Sequence, residues 1–349
     1  MVPESPMPRS SRRAALATLV LAVTAIAAAG CSSARSELPR SPQERHAMRE
    51  RGAAMIDSLV AAHGGMAAWN SVREVAFRST DEWTGPWAKL LNPWPIDRAA
   101  GEMRFRVHEG WGRAAIVVDE GTLTYGVGPT GPWALLRGAP SPRPKDVQSA
   151  GYLVSWHNFM VGWPFRFKES GAVAHYLGRA HRKYANASQE FDEVLVSYPP
   201  EGDLWPDDWF VVRMDPNTHE MRTVTYTTSG RSQRFFETTC EFSDYTTIEG
   251  VRIPVTRTFF VSSPVEERVH TWTLADLRVN QVSPDEYFER RSGGAEPLPS
   301  AGVLDSAATL VGEAGQAVGS AAESLGQRAS TAVGEAVDTL KARTGASPR

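Results

Sequence analysis

Residues 61–79 read AAHGGMAAWNSVREVAFRS, and the change of period around that stretch decides the fold. Upstream, Met48, Ala54, Met55, Leu59 and Ala62 recur at helical spacing, with Pro42 near the start. Gly64 and Gly65 follow the last of these positions, and His63 sits in the final turn. That order is a helix C-cap signature. Phosphate-cradling glycine loops run the opposite way, with the strand first and the helix N-terminus after. His63 is therefore read as part of a cap, not as a catalytic residue. Past the glycines the period becomes two.

Met103, Phe105 and Val107 alternate with Arg104, Arg106 and His108, the pattern of a half-buried strand. Phe236, Thr238, Cys240 and Phe242 alternate in the same way with Glu237, Thr239 and Glu241. Cys240 thus falls on an apolar face, as an inert core thiol. Trp209 to Met214 and Met221 to Tyr226 are joined through the turn sequence Asp215-Pro216-Asn217-Thr218, and Tyr245 to Ile248 meets Val251 to Phe260 at Glu249-Gly250. Strands that succeed one another through short turns predict an antiparallel sheet and a mainly β fold of the α+β class. Val147 to Phe159 interrupts this as an apolar, aromatic segment stopped by Gly162-Trp163-Pro164-Phe165, and is read as a helix lying across the sheet.

Four segments in order, AAHGGMAAWNSVREVAF (61–77), HNFMVGWPFRFKESG (157–171), MDPNTHEMRTVTY (214–226) and YTTIEGVRIPVTRTFF (245–260), resemble the LolA/LolB/LppX-like superfamily of periplasmic proteins, and more closely a lipoprotein branch within it. The likeness covers roughly residues 45–290 and rests on turns and packing positions, so it speaks to fold more than to activity. It implies a curved antiparallel sheet forming an incomplete barrel, with an N-terminal helix and covering helical segments around an apolar cavity for acyl chains.

The N-terminus supplies an address. Arg9, Arg12 and Arg13 precede the apolar run Ala14 to Ala29, which breaks at Gly30-Cys31. A basic start, a short apolar run and small residues before a cleavage point make a secretory signal. Ala28-Ala29-Gly30-Cys31 resembles the bacterial lipobox, with Ala28 where leucine is usual. The resemblance implies a signal peptide over 1–30, lipidation at Cys31, and a polar tether over 31–40. Ser32 after the cysteine implies an outer-membrane lipoprotein facing the periplasm. Ser11-Arg12-Arg13 also resembles a twin-arginine export signal.

The 349-residue chain carries a net charge of -3 and no basic block beyond its first residues, so nucleic acid is not an expected partner. Its two cysteines, Cys31 and Cys240, make no disulfide framework, and no CxxC, HxH or HExxH spacing suggests a metal site. No cofactor is expected. Asp203, Asp207 and Asp208 in GDLWPDD read as an acidic turn, because EF-hand spacing is missing and Pro206 intervenes. His157 and His175 flank the aromatic segment without a serine elbow or cysteine partner. With no convergent nucleophile, base or metal set, an enzyme is not expected.

Function is instead read from tryptophans in irregular segments. DEWTGPWAKLLNPWPID (81–97) holds Trp83, Trp87 and Trp94 among prolines that disfavour a strand. Such residues either line a cavity mouth or plug a barrel end. The expected ligand-binding set is Trp83, Trp87, Leu90, Leu91 and Trp94, with Trp163 and Phe165. It would take a hydrophobic small molecule or acyl chain. The domain is expected over 41–292. From 293 to 349 the composition shifts to Ala, Gly, Ser and Glu, Leu304, Val311, Val318 and Leu325 recur every seventh residue, and VGEA at 311–314 returns at 333–336. This tail reads as a weak amphipathic helix or a disordered segment, and as a possible contact for an envelope partner through 295–349. Two functions follow: a lipid-anchored carrier or binding module, or an envelope sensor that uses the same fold to contact another protein.

Overall fold

A computed structural model describes residues 41–85, 88–169, 171–184, 187–198, 209–227, 237–261 and 267–289. The chain divides into two compact units, Met1–Gly294 and Ala295–Arg349, and the architecture below belongs to the first. Helix α1 (Pro42–Ala62) begins at the Ser41 N-cap with proline in its first turn. A short α2 (Gly65–Ser71) follows before the first strand. Strands β1 (Glu74–Trp83), β2 (Arg98–Arg106), β3 (Trp111–Val118), β4 (Gly121–Gly128), β5 (Gly131–Leu136) and β6 (Ala139–Pro140) come next, with α3 (Ala88–Leu91) between β1 and β2. Helix α4 (Pro144–Val161) and a 3-10 turn (Phe165–Lys168) lead to the second set. That set is β7 (Val173–Tyr184), β8 (Ala187–Ser197), β9 (Trp209–Met214), β10 (Met221–Thr227), β11 (Thr238–Ile248), β12 (Val251–Val261) and β13 (Glu267–Val279).

All thirteen strands form one antiparallel sheet in the order β6-β5-β4-β3-β2-β1-β13-β12-β11-β10-β9-β8-β7. Each half is a meander, and the halves meet where β1 pairs with β13, from Val75 opposite Val279 to Trp83 opposite His270. The edge strands β6 and β7 do not pair, so the barrel is incomplete. Only α4 and the turn after it connect those two edges. Helix α4 packs on β3, β4 and β5 and buries Leu153, Val154, Trp156, Phe159 and Met160 in the one large core cluster. Its first turn is held by Asp146, which accepts from Tyr125 Oη, Ser141 Oγ and Arg143 Nε. Helix α1 lies on β7, where a Cβ on Gly52 would meet the Ala174 carbonyl oxygen at 2.6 Å. A side chain there would push the helix off the strand.

The expected strand hairpins are present. Asp215 Oδ1 accepts from the backbone N–H groups of Asn217 and Thr218 in the β9–β10 turn, and Glu249-Gly250 turns β11 into β12 with both residues at positive φ. The helix read from Val147 to Phe159 extends from Pro144 to Val161. The period change after the glycines differs in one respect, because α2 intervenes before the first strand. Its seven residues span too few turns to show a periodic face, yet Trp69 is buried and stacks on Phe165 with centroids 4.7 Å apart. Gly64 has φ 108° and abuts Gly250, so a side chain would fit there neither conformationally nor sterically.

His63 does cap α1, and it does more. It is fully buried, with Nδ1 2.9 Å from the Arg252 carbonyl and Nε2 3.2 Å from the Met221 amide nitrogen. A carbonyl only accepts, so Nδ1 carries the proton and Nε2 accepts from Met221. One ring thereby ties the end of α1 to β10 and β12. Burial lowers its pKa below 6.5, against smaller opposing influences from Arg252 and Glu220.

His63→Ala should cost about 2–3 kcal/mol in urea denaturation, since it leaves two buried backbone groups without partners. The folded protein resists protonating this ring, whereas the unfolded chain protonates it near pH 6.5. The advantage of the unsubstituted protein over the variant should therefore shrink as pH falls below about 6.5. An advantage that grows on acidification would contradict this assignment of the ring nitrogens.

Candidate functional site

The inner face of β1, β13 and β12 carries two cross-strand rows. In the first, Trp83, His270 and Phe259 are neighbours on successive strands. His270 lies flat between its neighbours, 3.9 Å from the Trp83 centroid and 4.0 Å from that of Phe259, within 7° of parallel to each. In the second row, Asp81, Trp272 and Arg257 occupy the same three strands. Such neighbours stand ~5 Å apart at Cβ, which is why rings stack along a row.

Asp81 joins the rows. Its buried carboxylate accepts from Trp83 Nε1 at 3.0 Å and Trp94 Nε1 at 2.8 Å, and Oδ1 lies 2.6 Å from His270 Nδ1. Burial on its own would raise this carboxyl. The charge and hydrogen bond of His270, with smaller contributions from His157 and Trp94, outweigh burial and hold it below its ordinary value. Asp81 is thus an ionised acid whose lone pairs are already committed.

Above the first row opens a cleft of about 580 Å³, counting its open mouth. Trp83, Leu91 and Pro93 line one side, Leu153, Trp156, His157 and Met160 of α4 another, and Tyr226, Phe259, Val261 and Val269 of the sheet the rest. Asp81, Tyr152, Thr238 and His270 are its other polar members. His157 has Nδ1 2.6 Å from the Leu153 carbonyl, so that nitrogen is the donor and Nε2 an acceptor. Burial pushes its pKa down to about 4, and the ring is neutral at neutral pH. Burial raises the Tyr226 hydroxyl well above 10. The lining is therefore mostly apolar, with aromatic walls and few charges.

Of the residues expected to bind ligand, Trp83 and Leu91 line the cleft. Trp83 is the last residue of β1 rather than part of a loop, and Leu91 ends α3. Trp94 stands behind the wall, bonded to Asp81 and stacked on Tyr125 at 5.9 Å. Trp163 and Phe165 are fully buried in the packed core and are not among the residues that line the cleft. Trp163 lies among Trp156, Phe159, Phe167 and Phe210, and Phe165 lies against Trp69. Trp87, Cys31, the acidic turn at 202–208 and the tail at 293–349 are outside the described residues, as is the side chain of Leu90.

Sequence reading missed Asp81, His270, Trp156 and Phe259, and saw His157 only as a lone histidine. A signal existed for Asp81: it falls in phase with Val75 and Phe77 on the buried face of β1. His175, the other histidine, accepts from Arg49 Nε at 3.0 Å on α1 and is remote from the cleft lining. Cys240 is buried, and burial raises its thiol well above its ordinary value. Among the described residues, no three His, Cys, Asp or Glu side chains converge as a metal site.

No protein-family description and no curated protein matches this sequence. Solved structures do resemble it. A LolA-superfamily protein from Nitrosomonas europaea shares 10% identity at a TM-score of 0.40, covering 68% of this chain and 97% of its own. A DUF1329-family protein from Desulfovibrio piger shares 9% at 0.39, covering 69% and 97%. The Mycobacterium tuberculosis lipoprotein LppX shares 11% at 0.26, covering 66% and 97%.

Asp81→Asn removes the charge that two indoles and His270 converge on. It should destabilise the domain by about 2–3 kcal/mol and alter tryptophan fluorescence in the folded state. A neutral effect on both would mean that the network does not hold the wall of the cleft.

Proposed function

We propose that this chain is a lipid-anchored protein of the bacterial envelope that binds or carries a hydrophobic ligand, a lipid or an acyl chain, in the cleft of its half-barrel. One observation carries the reading. The inner face of an open sheet keeps an aromatic, mostly apolar cleft between its central strands and α4. Chains of methylenes gain ~0.8 kcal/mol for each group buried against such a surface. The lipobox-like ending at Cys31 supports membrane attachment, and Ser32 supports the outer membrane facing the periplasm. Trp83 and Leu91, with Trp87 and Leu90 of the same proline-rich segment, form the proposed way in.

Native mass spectrometry of protein purified from its own membrane should show co-bound lipid. Leu91→Asp places a carboxylate on the cleft wall and should cut uptake of a fluorescent fatty acid at least tenfold while the far-ultraviolet strand signal persists. Lipid-free protein that takes up no fatty acid would sink the reading. Cys31→Ser should abolish labelling by palmitate and release the protein from the membrane fraction. Continued labelling would place the anchor elsewhere.

A further inference from the structure

Arg257 is a buried charged side chain on the inner face that lies outside the cleft lining. It is fully buried on β12, two residues from Phe259 on the same face, hence ~7 Å along the strand from that ring. Its guanidinium lies 4.7 Å over the Trp272 ring. Nη1 donates to the Pro254 carbonyl at 2.8 Å, while Nε and Nη2 have no partner. Among the described residues no carboxylate pairs with it. Asp81, across Trp272 in the same row, already accepts from its own three neighbours. The groups whose charge Arg257 feels or influences are Cys240, Tyr245 and His157. Burial pushes its pKa down to about 10, which still leaves it charged at neutral pH.

A buried, uncompensated cation costs several kcal/mol, and interiors seldom leave such donors unused. The pair left open is informative. Nε–H and the adjacent Nη2–H form the side edge of the guanidinium fork, two parallel donors that match the two oxygens of a carboxylate. Two more donors nearby are also buried and unpartnered: Nε1 of Trp272, beneath the guanidinium, and Nε1 of Trp163. The Trp163 ring meets Phe242, the cross-strand neighbour of Arg257, at 5.8 Å. Four unpartnered donor nitrogens thus belong to Arg257, Trp272 and Trp163. His157, which lines the cleft, meets the Trp272 ring in a T-shaped contact at 4.5 Å.

We propose that Arg257 is a head-group site, and that the cleft takes a single-chain amphiphile with a carboxylate head, bound head-first with both oxygens on the Nε–Nη2 edge. This rests on the reading of the cleft as a site for a hydrophobic ligand. His157 and Met160 of α4 are the side chains that yield to admit the head. The chain then lies along Phe259, Val261, Trp156 and Trp83. A neutral head of the same length gains nothing from Arg257 and leaves the cation unpaired.

The test uses full-length protein stripped of lipid, with hexadecanoate and hexadecan-1-ol as probes. The unsubstituted protein should bind the acid at least tenfold more tightly than the alcohol. Arg257→Met should bring the acid down to the level of the alcohol and leave alcohol binding unchanged. Carbon-13 NMR of carboxyl-labelled hexadecanoate on the unsubstituted protein should show the bound head still ionised at least one pH unit below its free value. That measurement decides the matter if Arg257→Met does not fold. Equal affinity for the two probes, an acid preference that survives Arg257→Met, or a bound carboxyl that titrates at or above its free value each overturns the head-group site. Equal affinity leaves the hydrophobic-ligand reading standing. If neither probe binds, both readings fall together.

Discussion

An open antiparallel sheet cannot stand with its apolar inner face against water, and α4 is the element that shields it. The strand order leaves β6 and β7 unpaired, and the chain has to travel from one to the other across that face. The crossing segment is therefore also the cover. Its aromatic residues fill the space: Trp156 meets Tyr226 at 5.1 Å, and Phe159 meets Phe210 at 5.7 Å. Burying each such ring removes ~150–250 Å² from water. Where this filling runs out, between α4 and the Trp83–Pro93 segment, the cleft begins. Its walls are shared by that helix, by Trp83, Leu91 and Pro93, and by the sheet.

The polar groups of the interior follow from the pairing of β1 with β13. That seam joins residues nearly two hundred positions apart in the chain and brings Trp83, His270 and Phe259 into one stack. Neither Asp81 nor His270 would be tolerated there alone, because an isolated buried charge costs more than packing returns. Together with two indole N–H groups they form a satisfied set. The same seam is bound from outside by Glu74, which takes Arg104 Nη1 at 2.7 Å and the Ser283 amide at 2.8 Å. Beyond the seam, His63 fixes where α1 ends against β10 and β12. Long-range polar contacts at few points thus set the register of a sheet whose other pairings are local hairpins.

What the sequence made legible were features that depend on neighbours in the chain. The cap at His63, the turn at Asp215 to Asn217, the hairpin at Glu249-Gly250 and the helix around Val147 to Phe159 each rest on local chemistry. Trp83 and Leu91, which line the cleft, were singled out through composition, since an apolar segment studded with prolines has to be buried without pairing centrally. The same reasoning could not separate them from Trp163 and Phe165, because a tryptophan in a core and one on a cleft wall look alike in sequence. Asp81, His270 and Arg257 were invisible as a group. Each sits in phase with apolar residues on its own strand, but only the strand order shows that the three phases coincide. The second role of His63 was hidden for the same reason, since Met221 and Arg252 lie far along the chain.

Trp272 separates the two buried charges of the inner face, and this placement has a physical consequence. Asp81 and Arg257 are two strands apart in one row, ~10 Å, with an indole between them. Had they been cross-strand neighbours they would have formed an ion pair, and the interior would be electrically closed. Instead the acid takes its donors from the cleft wall, while the base keeps its fork edge free on the far side of the ring. With the indole between them, neither group supplies a hydrogen bond to the other. The face therefore has a saturated negative end in the cleft lining and an unsaturated positive end beyond Trp272. An amphiphile with an anionic head, entering past Trp83, meets no free carboxylate on its way and finds the unused donors beyond that ring.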